Sequence, residues 1–180
     1  MSNSTEIDFQ KINVRKLEEG DNLSCFNCTQ EDEMGLDEFI HKEALYYRQS
    51  RLGITYLFFY EKKKVGFITL SMGDIRAEQI EKGKKMPVNI KTYPALYVGR
   101  LAVDNQYRKR KIGRFITQWC IGFALNISEQ VGCRYITLHT TKPRIPFYEK
   151  CNFSSAMGEE SHPTVLMYLK VILQSEAGWW

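Results

Sequence analysis

The sequence predicts a mixed α/β domain, and three observations carry that prediction. Strand-like and helix-like periods follow one another in the order β, α, ββ, loop, β, α, β, α, ββ. Helices separate the strands of the second half, whereas hairpins stand in the first half and at the end, so the sheet is not a purely parallel, doubly wound one. At 180 residues, with 43% hydrophobic and 26% charged side chains, the chain suits one globular domain with a proper core. We expect that domain to be ordered from about residue 8 to residue 173.

Ile12 and Val14 alternate with polar neighbours and give a first strand within residues 8–17. Residues 18–33 are polar and turn-rich. Leu36, Phe39, Ile40, Ala44 and Tyr47 fall at helical spacing and predict an amphipathic helix from Gly35 to Gln49. The acidic run Glu31-Asp32-Glu33 precedes it, where the helix dipole favours negative charge. Residues 54–60 (ITYLFFY) and 65–72 (VGFITLSM) are β-branched and aromatic, and the charged turn Glu61–Lys64 joins them as a hairpin. The charged run from Asp74 to Lys91 has no clean period and reads as a long loop, a feature that is often functional.

Leu96, Val98, Leu101 and Val103 form the next strand. From Gly113 to about Gln130, Phe115, Ile116, Trp119, Cys120, Phe123 and Ile127 mark a helix that packs on the sheet, with Gly132 as its stop. Residues 134–139 form another strand. Pro143 and Pro146 bracket a break before a short helix at Phe147–Lys150, and Phe153–Ser155 and Val165–Ile172 read as closing strands. The tail ending in Trp179-Trp180 is expected to be weakly ordered.

Composition excludes several classes. No run approaches a membrane span, and MSNSTEIDFQ lacks the apolar stretch of a signal peptide, so the expected location is cytoplasmic, with no membrane partner. Cys25, Cys28, Cys120, Cys133 and Cys151 have no framework spacing and read as reduced thiols. Cys25-Phe-Asn-Cys28 is a lone CxxC. A zinc site needs two more ligands at matching spacing, so no metal is expected. The net charge of +4 does not by itself call for nucleic acid. Its clustering matters more: Lys82, Lys84 and Lys85 form one patch, while Arg108, Lys109, Arg110, Lys111 and Arg114 form another.

The second patch organises the chain. A strand ending at Val103 feeds the turn-formers Asp104, Asn105 and Gln106, then four consecutive cations, then Ile112 and Gly113 at the start of the long helix. A helix N-terminus exposes backbone N–H groups and partial positive charge. Cationic side chains there make an anion site of the kind that holds a pyrophosphate.

The run RLAVDNQYRKRKIG at positions 100–113 resembles motif A of the GNAT N-acetyltransferases, in which a strand reading LAV precedes an R/Q-x-x-G-x-G/A loop. Phe147-Tyr148-Glu149-Lys150-Cys151-Asn152-Phe153 is similar to that family's FYEKxGF. The resemblance covers about residues 12–170. The stretch CTQEDEMGLDEFIHKEALYYRQSRLGITYLFF at 28–59, with GFITLSMGDI after it, is more loosely similar to toxin-type GNATs, which acetylate aminoacyl-tRNA. The family fold is a mostly antiparallel mixed sheet with helices on both faces and a parallel strand pair splayed at the cofactor cleft.

The resemblance implies an acetyl-CoA-dependent enzyme that acetylates a primary amine borne by a small molecule, a protein or a charged tRNA. It implies that Arg108, Lys109, Arg110, Lys111, Ile112, Gly113 and Arg114 hold the pyrophosphate. Leu101, Ala102 and Val103 would line the pantetheine arm, and a backbone N–H near them would meet the oxyanion. Thr141 stands where relatives carry Asn, and Arg144, where they carry Ala, is placed to reach a phosphate. Tyr148 is the implied general acid.

There are departures from the pattern. Lys111 replaces the first motif glycine and fits the backbone role if its φ is negative, while Asn152 replaces the glycine of FYEKxGF. No general base stands out. Glu38, Asp74, Glu78 and His139 qualify on type alone, and His139, ending an apolar strand, reads as a core histidine. The alternatives are a toxin-like enzyme acting on aminoacyl-tRNA and a non-catalytic acyl-CoA- or RNA-binding module, which Lys111 motivates. A homodimer stays open.

Overall fold

The computed structural model describes residues 7–80, 88–158 and 163–171. Seven strands lie in one sheet: β1 (Ile12–Lys16), β2 (Ile54–Tyr60), β3 (Lys63–Arg76), β4 (Thr92–Val103), β5 (Tyr135–Thr141), β6 (Ser154–Ser155) and β7 (Thr164–Lys170). Their order is β1-β2-β3-β4-β5-β7-β6. The helical elements are α1 (Leu36–Glu38), a π-helical turn at Phe39–Glu43, α2 (Ala44–Gln49), α3 (Ile112–Ser128) and α4 (Ile145–Glu149). The chain divides into two compact units, residues 1–70 with 100–117 and residues 71–99 with 118–180.

In the first unit β1 and β2 pair antiparallel with Val14 opposite Phe58, and β2 pairs antiparallel with β3, Leu57 opposite Phe67. The β2–β3 hairpin turns on Glu61 and Lys62, both with positive φ, as the two-residue loop that matches strand twist requires. Phe26 and Phe39 lie against Phe67, with ring centroids 5.8 and 6.4 Å away. They close a core with Leu17, Leu36, Ile40 and Leu57. Each such side chain contributes about 2–3 kcal/mol by leaving water. Gly66 is sterically required: a Cβ there would stand 2.6 Å from Ile116 Cδ1 and 2.8 Å from the Ala102 carbonyl oxygen.

In the second unit β4 and β5 are parallel, from Ala95 opposite Tyr135 to Val98 opposite Leu138. Beyond those pairs β4 runs on to Val103 and β5 to Thr141. β5 pairs antiparallel with β7 along its whole length, and β6 adds two residues at the edge. Tyr135 is the centre of a small core, 5.5 Å from Tyr93 and 5.9 Å from Tyr168 between ring centroids.

The mixed α/β class is as the sequence predicts, and four details differ. β3 extends through Arg76, because Ile75 is buried between exposed Asp74 and Arg76 and continues the strand alternation that their charge disguised. The expected helix at 35–49 is helical throughout but widens to a π turn at Phe39–Glu43. α3 begins at Ile112 and ends at Ser128, before Gly132. Its fully buried stripe is Ile112, Ile116, Cys120 and Ala124, at strict four-residue spacing, whereas Trp119 and Phe123 stack on each other half-buried at 5.2 Å. The Lys82–Lys85 patch and the terminal tryptophans lie outside the described residues.

Candidate active site

The turn between β4 and α3 is built from Asp104 outward. Its carboxylate is buried, and Oδ1 accepts the Gln106 N–H at 2.9 Å, capping a short 3₁₀ turn at Asn105–Tyr107. Arg108 is extended, and then Lys109 (φ 62°) and Lys111 (φ 63°) both adopt the left-handed region. Lys111 therefore takes the conformation that the motif glycine would supply, not the negative φ expected of a lysine. Left-handed residues interspersed in a turn are a feature of backbone anion nests, and α3 opens immediately after Lys111.

Lys109, Lys111 and Arg114 are exposed, and Arg110 lies half-buried with its guanidinium 5.6 Å from the Tyr107 ring centroid. Arg108 has other partners. Its guanidinium donates to the Gln30 carbonyl and to Glu31 Oε2, the latter at 2.6 Å. The strand leading into the turn buries Ala102 and leaves Leu101 and Val103 half-buried.

The second unit carries Tyr148. Pro143 and Pro146 stand at the starts of a 3₁₀ turn and of α4, where a missing N–H costs nothing. The helix ends in a Schellman closure: Phe153 N–H donates to the Tyr148 carbonyl at 3.0 Å and Asn152 N–H to the Glu149 carbonyl at 2.9 Å. Asn152 supplies the left-handed residue this closure needs (φ 67°), and the rings of Tyr148 and Phe153, 5.8 Å apart, make its accompanying apolar contact. The FYEKCNF run is thus a local clasp that fixes one tyrosine. Burial pushes the Tyr148 phenol up to about 12, with the neighbouring Arg144 charge opposing the shift. At neutral pH it is a protonated donor. At the end of β5 Thr141 Oγ1 is buried without a hydrogen-bond partner, which suits a polar, amide-rich ligand arm.

Of the base candidates, Glu38 pairs with Lys42 at 2.9 Å and Glu78 with Arg76 at 3.1 Å, all exposed. Asp74 is exposed. His139 is exposed as well, with Nδ1 3.4 Å from the Tyr97 hydroxyl, so it is not a core histidine. Cys28 is buried, and burial together with Asp37 holds its thiol far above its ordinary value. Among the described residues no cluster of His, Cys, Asp or Glu forms a metal site, and no helix is long and apolar enough to cross a membrane. The role of Asp104 was not evident from sequence, because its partner Asn27 lies 77 positions away.

Comparison with known proteins places the fold. A model of the acetyltransferase (GNAT) domain matches residues 52–155, more than half of the chain. No curated protein matches in sequence. Solved structures do match in fold. AtaT complexed with acetyl-methionyl-tRNAfMet superposes with a TM-score of 0.77 at 17% identity, over 88% of this chain and 94% of that one. A tyrosine-to-phenylalanine mutant of KacT gives 0.76 at 16% identity, over 90% and 96%. A tyrosine-to-phenylalanine mutant of AtaT, bound to acetyl-CoA and the C-terminus of the antitoxin AtaR, gives 0.69 at 16% identity, over 89% and 93%. The fold is shared with these structures, the AtaT toxin among them, and by its domain match this chain belongs to the GNAT acetyltransferase family.

Proposed function

We propose that the protein transfers an acetyl group from acetyl-CoA to a primary amine by direct attack. The observation that carries this reading is the pair of left-handed residues, Lys109 and Lys111, in a cationic turn immediately ahead of α3, a pattern suited to an anion. In this reading the amides of 109–113, with Lys109, Arg110, Lys111 and Arg114, hold the pyrophosphate. The unpaired Thr141 hydroxyl and the strand from Leu101 to Val103 bind the pantetheine amides, and a backbone N–H of that strand donates to the oxyanion.

The amine nitrogen bonds to the thioester carbonyl carbon and the C–S bond breaks. Tyr148, held protonated by burial, gives its proton to the departing thiolate. The acceptor ammonium gives one proton to solvent before attack, for which an α-amine of ordinarily low pKa needs no protein base. The attacking nitrogen gives a second to solvent as the amide forms, and Tyr148 takes a proton back from solvent.

A charged tRNA is the acceptor favoured by a specific observation: AtaT, of like fold, is solved with acetyl-methionyl-tRNAfMet. Labelled acetyl-CoA offered with charged tRNA, peptide and small-amine pools in parallel tests both levels. Labelling of tRNA that falls steeply with salt supports the tRNA acceptor, and labelling of another pool replaces it. No transfer to any pool by a chain that binds CoA makes the protein a binding module.

A further inference from the structure

Three non-glycine residues around the candidate pyrophosphate turn are left-handed: Glu31 (φ 58°), Lys109 and Lys111. Such residues are disfavoured and persist only where their surroundings over-determine them. The exposed lysine side chains have no apolar packing to hold that shape. The residues that lead into them, 104–108, are held by a set of polar bonds centred on Asp104.

Its carboxylate accepts from two separate stretches of backbone, Gln106 N–H on Oδ1 and Asn27 N–H on Oδ2, each at 2.9 Å. Its own N–H donates to the Val65 carbonyl at 3.0 Å, and its carbonyl accepts Tyr107 N–H at 2.9 Å. One buried residue therefore joins β3, the 27–31 segment and the turn. The attachment is reinforced on both sides. Asn105 N–H reaches the Asn27 carbonyl at 2.8 Å, Asn105 Nδ2 reaches Asn27 Oδ1 at 2.7 Å, and Arg108 grips Gln30 and Glu31.

We propose that Asp104 is a positioning residue for the acyl donor: it ties the phosphate turn to the 27–31 segment and so holds the strained amides ready for the pyrophosphate. This rests on the proposed function. Asparagine in its place keeps one acceptor oxygen but turns an NH₂ toward a backbone N–H, so one of the two bonds is lost and two donors face each other. Pre-formed sites bind more tightly because the ordering is complete before the ligand arrives.

The test is Asp104→Asn in the full chain, with Asn105→Ala as a milder variant. Loss of a charge-assisted buried bond should raise the acetyl-CoA KM, and the CoA Kd by titration calorimetry, about tenfold. The kcat at saturating donor and the acceptor KM should stay within about twofold, a split that a general loss of stability does not produce. Asn105→Ala, at a half-buried position and less disruptive, should give about threefold in the same parameters. A fall in kcat with donor KM unchanged, or no change in either variant, overturns the proposal. If Asp104→Asn does not fold, Asn105→Ala decides. If wild type binds no CoA, the proposed function fails first, and amide exchange judges the positioning claim: faster exchange at 106–111 in Asn105→Ala sustains it, and unchanged exchange refutes it.

Discussion

The candidate phosphate turn and the Tyr148 clasp are both short motifs, yet they are held in opposite ways. The clasp is local. Its closing bonds run between Tyr148 or Glu149 and residues three to five positions on, and two aromatic rings seal it. The turn is not local. Its carboxylate, its amides and Arg108 reach residues 27–31, and its left-handed lysines are exposed. A motif closed by its own neighbours can be recognised and trusted from sequence, whereas one completed by a remote segment can be recognised without being understood. Substitutions in the clasp should therefore act through chemistry and burial, and substitutions in the turn through backbone strain and donor binding.

The sharpest way to break the contrast is Tyr148→Phe. The ring and its contact with Phe153 survive, so the clasp should hold. The proposed proton donor is gone, so acetyl transfer should fall by about 10²–10⁴ while CoA affinity stays unchanged by calorimetry. Equal turnover in the two proteins removes Tyr148 from the mechanism. Weakened CoA binding would instead mean that the clasp also shapes the donor site.

Burial of the same phenol gives a stability effect with a definite sign. The folded value of about 12 lies above the ordinary 10.0, so between those values the unfolded chain releases a proton that the folded chain keeps. The tyrosine's contribution is whole below pH 10 and is lost as pH rises through about 12, amounting to about 3 kcal/mol. Cys120, pushed by burial to about 12, loses stability over an overlapping range, so the comparison must be with Tyr148→Phe rather than with neutral pH alone. Urea titrations from pH 9 to 12 should show the wild type losing ground to the variant above pH 10. Parallel curves would mean that the phenol is not desolvated.

How much of this was legible follows the same division. β2 is readable to the residue, because ITYLFFY is a β-branched and aromatic run between turn signals. The FYEKCNF clasp was readable because every bond that closes it lies within it. β3 was read short, since Asp74 and Arg76 flank buried Ile75 and charge outweighed alternation. The π turn at Phe39–Glu43 leaves no mark in a hydrophobic pattern that fits either helix. The Glu31 partner of Arg108 lies 77 positions away and leaves no mark near it in sequence, and His139 is exposed on a strand whose neighbouring positions are buried.

The smallest effects test whether strain separates the two regions. Lys111 and Asn152 share a left-handed backbone, one in the turn and one in the clasp. A lysine there costs about 1–2 kcal/mol, part of which glycine gives back through its freer unfolded chain, so Lys111→Gly should stabilise the fold by about 1 kcal/mol in urea. It also removes a cation beside the candidate pyrophosphate site, so CoA should bind roughly threefold more weakly at low salt and nearly normally at high salt. Asparagine already tolerates the conformation, and Asn152→Gly should shift stability by no more than a few tenths of a kcal/mol. Equal gains at the two positions would mean that the lysine is no more strained than the asparagine. The bracing attributed to Asp104 would then have little strain to hold, and the turn would be as self-sufficient as the clasp.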